Sequence, residues 1–258
     1  MNKLRIIAGF CLLTAIVLLA PACSNGVITT EEDFKDFTSL DIQNAFDVQV
    51  IKSDTYAVTI TSSEALVDYL SVTKQGNTLT IRMSPNHPFT DFALMRKVLK
   101  ARITMPALDG IDLSGASKAN VTGFESTNPL RLNISGASEL RLGGVETGDG
   151  DFEVSGASDL KGKLTAADVK FNVSGASHVE LDGTAENVQL TGSGASKLSL
   201  EQFVHQTATV TLSGASQATV DTRKRLDFSL SGASQFYFLS NPVTGKMEVL
   251  GASTVKHK

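Results

Sequence analysis

Leu130-Arg-Leu-Asn-Ile134, Ser135-Gly-Ala-Ser138, Glu139-Leu-Arg-Leu142: this run of the chain holds the fold in miniature. Apolar side chains stand at every second position on either side of a four-residue word, the pattern of strands with one buried face. The word returns. Ser-Gly-Ala-Ser begins at Ser114, Ser135, Ser155, Ser174, Ser193, Ser213 and Ser231, and Gly251-Ala252-Ser253 repeats it without the first serine. Successive starts lie 21, 20, 19, 19, 20 and 18 residues apart. A unit of about 20 residues recurring at that regularity is one supersecondary element stacked on copies of itself.

The flanks repeat with the word. Val169-Lys-Phe-Asn-Val173 precedes the fourth copy and His178-Val-Glu-Leu181 follows it; Leu226-Asp-Phe-Ser-Leu230 and Gln235-Phe-Tyr-Phe238 frame the seventh. A helix would space apolar residues by three and four, and a meander would alternate the sense of successive strands. Equivalent strands recurring in one direction instead pair in parallel with the coils above and below, about 4.8 Å apart. The expected fold is all-β, a single-stranded parallel β-helix in which the word makes a corner. Two-residue parity through the word places its Gly and its second Ser (Ser117, Ser138, Ser158, Ser177, Ser196, Ser216, Ser234) inward. The stacked hydroxyls are expected to satisfy one another from coil to coil. Regular coils cover residues 106–258, and eight of them separated by seven gaps span about 34 Å.

Residues 1–22 have a different character. Lys3 and Arg5 precede an apolar run from Ile6 to Ala20, too short for a comfortable spanning helix, so this segment reads as a secretory signal peptide. Ala20-Pro21-Ala22 fits the general cleavage pattern, while Leu19-Ala-Pro-Ala-Cys23 resembles a relaxed bacterial lipobox. The second reading makes Cys23 a lipid attachment site. It also accounts for a cysteine that, with Cys11 removed, has no intrachain partner. Loss of residues 1–22 removes Lys3 and Arg5 and no acid, taking the formal net charge from −4 to −6. Nucleic acid and anionic surfaces are poor partners for such a protein. Residues 23–36, acidic at Glu31-Glu32-Asp33 and without clear periodicity, read as a tether.

From 37 to 105 the chain is β-rich without the word. Leu40-Asp-Ile42, Phe46-Asp-Val-Gln-Val50, Ala57-Val-Thr-Ile60 and Leu79-Thr-Ile-Arg-Met83 alternate as strands, Gln75-Gly76-Asn77 is a hairpin turn, and Glu64 to Leu70 suits a helical turn. Pro85 to Lys100 is irregular. The whole block is expected to be a set of atypical first coils and a cap, since the initial edge of a solenoid has to be covered.

The layout resembles the bacterial "putative auto-transporter adhesin, head GIN domain" family. The residues that carry the resemblance are Phe37-Thr-Ser-Leu-Asp-Ile42 with Phe46-Asp-Val-Gln-Val50, Gly76-Asn-Thr-Leu-Thr-Ile81, Ile103-Thr-Met-Pro-Ala-Leu-Asp-Gly-Ile111 leading into the Gly-Ala-Ser copies, and Pro242 with Gly245. It covers nearly all of the chain from about residue 35. The resemblance implies a β-helix-like fold and an envelope or surface role, and it brings no catalytic residues.

Some β-helices are polysaccharide lyases or hydrolases, whose sites need carboxylates or bases converging at one level of the rod. The exposed position after each word holds Lys118, Glu139, Asp159, His178, Lys197, Gln217, Gln235 and Thr254, and no residue type persists. That column reads as a solvated face. His87, His178, His205 and His257 lack metal-ligand spacing and read as surface residues. Gly148-Asp-Gly-Asp151 resembles one glycine-aspartate calcium turn, but it occurs once, so it reads as a plain turn. Arg223-Lys224-Arg225 and Arg96-Lys97 lack interleaved aromatics and read as loop charges. Tyr237 should face outward between Phe236 and Phe238 in the core.

No catalytic residue, metal site or cofactor is expected, and no binding residue is assigned. The leading expectation is a non-enzymatic lipoprotein of the outer membrane, on its periplasmic side or the cell surface, presenting a long face to a glycan or an envelope protein. A carbohydrate-active enzyme, with a cleft built by Pro85 to Lys100, and a periplasmic scaffold without a ligand are the alternatives.

Overall fold

The computed structural model describes residues 26–86 and 97–258. Its first part contains β1 (Val27–Glu32), β2 (Ser39–Ile42), β3 (Asp47–Lys52), β4 (Ala57–Ser63), a 3-10 turn (Glu64–Tyr69), β5 (Leu70–Gln75), β6 (Thr78–Met83) and β7 (Leu99–Met105). The repeats follow as β8 (Gly110–Leu113), β9 (Lys118–Thr122), β10 (Leu130–Ile134), β11 (Glu139–Glu146), β12 (Gly150–Val154), β13 (Asp159–Thr165) and β14 (Asp168–Val173). They continue through the long, bent β15 (His178–Gly192), β16 (Lys197–Leu212) and β17 (Gln217–Leu230) to β18 (Gln235–Leu239), β19 (Val243–Val249) and β20 (Thr254–His257). The expected parallel β-solenoid is present.

Strands that precede the word form one parallel sheet. Leu132 lies beside Phe152, Phe152 beside Phe171, Phe171 beside Leu190 and Leu190 beside Val210. Strands that follow it form a second, in which Leu140, Leu160, Val179, Leu198 and Ala218 stand in register. These upstream and downstream sheets turn their apolar columns toward each other, and Phe152, Phe171, Phe203 and Phe236 are fully buried between them.

From the second copy of the word onward each alanine N–H donates to the glycine carbonyl of the preceding coil, as in Ala157 N to Gly136 O and Ala176 N to Gly156 O, both 2.8 Å. The second serines are buried as expected. The glycines are not: they sit exposed at positive φ, because the corner turns the backbone outward at that residue and breaks the strand parity. Nor do the hydroxyls form a ladder with one another. Ser117, Ser216 and Ser234 Oγ donate to the carbonyl of the first serine of their own word at 2.9, 2.6 and 2.7 Å. Ser158 and Ser177 Oγ instead accept from the N–H of the serine one coil back, both at 3.4 Å. The backbone therefore joins one corner to the next.

The N-terminal part departs from sequence order. β2 and β3 form a coil of the regular kind, with Asn44 and Ala45 at positive φ where later coils carry Gly. Its two strands pair in parallel with β8 and β9 on one side and with β6 and β7 on the other. The chain thus lays down an inner coil, passes outward to build the terminal one, and returns past it to start the repeats. Antiparallel β5 extends the upstream sheet beyond β6, and antiparallel β4 extends the downstream sheet beyond β7.

β1 pairs with β4, from Val27 opposite Ser63 to Glu32 opposite Val58. Residues 27–32 are therefore a strand and not part of a tether; backbone pairing to an open edge supplies what their weak periodicity concealed. The hairpin turn at Gly76 and the turn after Ser63 are where the sequence places them. Most of the Pro85 to Lys100 segment, with His87 and Arg96, lies outside the described residues, as do the signal segment and Cys23; Leu99 and Lys100 already belong to β7.

His205 also departs from the expectation. It is fully buried, not superficial. The coil from Ser193 has 20 residues and its successor from Ser213 has 18, and the surplus is taken up where the β16–β17 register jumps between Leu200 and Val204 and again between His205 and Thr207. That bulge turns both Phe203 and His205 inward.

Candidate binding surface

The outer face of the upstream sheet carries columns of polar side chains in register. One column runs Arg131, Asp151, Lys170, Gln189, Thr209 and Asp227; another runs Asn133, Glu153, Asn172, Thr191, Thr211 and Ser229. Both follow from strand alternation, since the residues between them, such as Phe152, Phe171 and Leu190, are buried.

A third column lies at the turn entering these strands, six positions before each word: Asp149, Asp168, Asn187 and Thr207. Here the side chains hold one another. Thr207 Oγ1 donates to Asn187 Oδ1 at 2.6 Å, Asn187 Nδ2 donates to Asp168 Oδ1 at 2.6 Å, and Asp168 N donates to Asp149 Oδ1 at 3.3 Å. The next residue in register is Arg225, whose guanidinium binds Asp227 at 2.8 Å and holds that carboxyl below its ordinary range. Between the turn column and the Lys170, Gln189 and Thr209 column runs a groove of about 520 Å³, which Gly150, Val169 and Val188 also line.

The ladder orders the side chains on the groove floor. Each pair spans one coil spacing of about 4.8 Å, so carboxylate, amide and hydroxyl groups are presented at a fixed repeat along the rod. An isolated side chain would have to be ordered on binding; these are already in place.

The column after the word behaves differently. Lys118, Glu139, Asp159, His178, Lys197, Gln217, Gln235 and Thr254 do stand in register. Yet its charges face each other, with Lys118 3.6 Å from Glu139, Lys161 3.2 Å from Asp159 and His178 Nδ1 3.5 Å from Asp159. Asp149 of the Gly-Asp-Gly-Asp stretch is spent on the Asp168 N–H, and no group of three or more metal-binding side chains occurs among the described residues. His257 is exposed, with Nε2 2.7 Å from Ser240 O. Phe236 is buried as expected, whereas Phe238 is only partly covered, and Tyr237 donates to Gln235 Oε1 at 3.1 Å with Lys258 over its ring.

The model of the family described as "putative auto-transporter adhesin, head GIN domain" matches residues 36–242. The chain belongs to that family. Several solved structures share its head GIN fold. A protein of Parabacteroides distasonis named a "putative lipid binding protein" superposes with a TM-score of 0.84 at 17% identity, over 90% of this chain and 97% of that one. A "putative adhesin" from Parabacteroides merdae gives 0.82 at 18%, over 90% and 96%, and one from Bacteroides fragilis gives 0.69 at 18%, over 91% and 98%. No curated protein matches the chain by sequence. The family and these neighbours are named for adhesion or binding, not for catalysis. Among the described residues no helix is long and apolar enough to cross a membrane.

The sequence reading missed the groove although its signal was there. Polar residues recur at a constant offset before the word as they do after it, and Asp149 falls in the Gly148-Asp-Gly-Asp151 stretch that reads in isolation as a plain turn.

Proposed function

We propose that this head GIN protein is a non-enzymatic binding module, exported and held at the outer membrane by a lipid on Cys23, that takes a glycan along the upstream face. The observation that carries the proposal is the hydrogen-bonded Asp149–Asp168–Asn187–Thr207 ladder beside Lys170, Gln189 and Thr209. Its groups are neutral or of mixed sign and alternate donors with acceptors, which suits a hydroxyl-rich ligand better than an acyl chain or a polyanion. A rigid face repeating every coil adds weak contacts in register along an extended chain.

The test is binding to an array of bacterial envelope glycans. Wild-type protein is expected to retain one glycan class, and Asn187→Ala with Gln189→Ala to lose about tenfold or more in affinity, roughly 1.4 kcal/mol. An identical profile for both proteins removes the groove from the function. The anchor is tested separately by feeding cells a labelled fatty acid. The wild type is expected to be tagged and Cys23→Ser not; an untagged wild type would disprove lipidation.

A further inference from the structure

The last coil differs from those before it. Met247 lies beside Phe228 and Val249 beside Leu230, both core columns, yet Met247 is 58% and Val249 46% exposed. β19 has β17 on one edge and no strand on the other among the described residues. Leu250, 54% exposed, occupies the word's first position, where the seven earlier copies carry serine. Its N–H donates to Leu230 O, just as Ser231 N donates to Leu212 O one coil back. An apolar residue thus replaces serine in the one coil whose free edge carries other apolar side chains. Val243, 71% exposed, lies beside Arg225 in the outward column, and a bulge between Thr244 and Met247 sets it apart from this patch.

The charges in the second half of this strand stand on either side of Met247. Lys246 and Glu248 flank Met247 and sit 3.4 Å apart. When such a strand pairs antiparallel with its own copy and Met247 lies opposite Met247, each lysine falls opposite a glutamate on the outer face. The two methionines then meet on the inner face. The downstream edge is unlike it, since β20 carries Lys256 and is followed by Lys258 with no acid on the strand to answer them, and unanswered lysines keep an edge from pairing.

We propose that two copies of this chain join tail to tail through β19, in an antiparallel pair centred on Met247, with Met247 and Val249 covering the open end of each core and Leu250 beside them. The contact is isologous, so it closes at two copies and does not propagate. The N-terminal ends of the two solenoids then lie at opposite ends of a doubled rod. The upstream faces stay free, so the pairing is independent of the glycan reading.

The experiment is sedimentation equilibrium of the purified protein over a wide concentration range. Wild type is expected to show a reversible monomer–dimer equilibrium. Lys246→Glu places four acids across the axis and Glu248→Lys places four bases there, so each alone should raise the dimer Kd by tenfold or more. An equimolar mixture of the two variants restores opposite charges at both pairs, and dimers should reappear as heterodimers. Lys246 is exposed, Glu248 is half-buried and accepts from Ser229 Oγ at 3.3 Å, and circular dichroism of each variant checks that the fold is intact. A wild type that is monomeric throughout overturns the proposal, as does a dimer unaffected by either substitution or a mixture that stays monomeric.

Discussion

Gly175→Ala is expected to cost at least about 4 kcal/mol, a loss reserved for a few severe mechanisms and large enough to remove most of the stability of a domain. Two effects add. Gly175 has φ of 72°, where an L residue is strained. A Cβ there would also stand 3.0 Å from Gly156 N and closer still to its carbonyl oxygen. The neighbour is backbone and has no rotamer to change. It is held by Ala176 N on Gly156 O at 2.8 Å, and the same arrangement continues at Ala195 N on Gly175 O. Opening one gap therefore strains the next. Gly144→Ala separates the two effects, because Gly144 has φ of 75° with no atom within 4 Å of a built Cβ. It should lose only the conformational part, about 1 to 2 kcal/mol. Urea unfolding of the two variants measures the difference, and equal losses would show that close stacking of the corners contributes nothing.

That comparison also marks what could be read without coordinates. The alternation around each word named the strands, and its period forced them to stack, because side-chain parity and parallel pairing are properties of short stretches and their copies. Direction at the corner was less legible. Parity predicts that Gly175 points inward, but a residue at positive φ reverses the local turn, so the glycine faces solvent while Ser177 two positions later returns to the core.

Long-range order in the first part was not legible at all. Nothing in Thr78–Met83 or Leu99–Met105 says that they lie outside Ser39–Ile42 and Asp47–Lys52, since three consecutive coils can stack in more than one order with the same faces buried. β1 escaped notice for a related reason: its partner is β4, some thirty residues away, and its stability comes from ladder bonds more than from an apolar face. The candidate site stands between these cases. Asp149, Asp168, Asn187 and Thr207 share one offset from the word, so their column could be written down in advance. The bonds that bind it into a ladder depend on rotamers that no spacing reveals.

His205 should make the protein sensitive to mild acid. Its Nδ1 lies 2.8 Å from Phe203 O and its Nε2 2.8 Å from Thr222 Oγ1. A carbonyl can only accept, so Nδ1 carries the proton and Nε2 accepts from the threonine hydroxyl. Burial pushes the imidazole below its ordinary range, against smaller opposing contributions from the Phe203 carbonyl and from the charge of Asp221. Asp221 is engaged elsewhere, with Arg223 Nη2 at 2.7 Å and Ser240 Oγ at 2.6 Å. In the unfolded chain the same imidazole binds its proton near pH 6.5, while the folded one resists until lower pH. Between those two points the unfolded state holds the extra proton, so stability is full above about pH 6.5 and declines as pH falls, by up to about 1.4 kcal/mol per pH unit. Glu32, whose carboxyl is pushed above its ordinary range by burial, is common to wild type and a His205→Gln variant and so drops out of a comparison between them. Thermal melts of wild type from pH 7.5 to pH 5 should therefore show a falling Tm. In His205→Gln the starting Tm is lower, because Phe203 O and Thr222 lose well-placed partners, but the slope over the same range should be nearly flat. The slope is the diagnostic quantity, since a purely structural loss shifts the whole curve down and leaves its shape unchanged. Parallel curves for the two proteins would mean that His205 takes up its proton as readily in the folded coil as in the open chain.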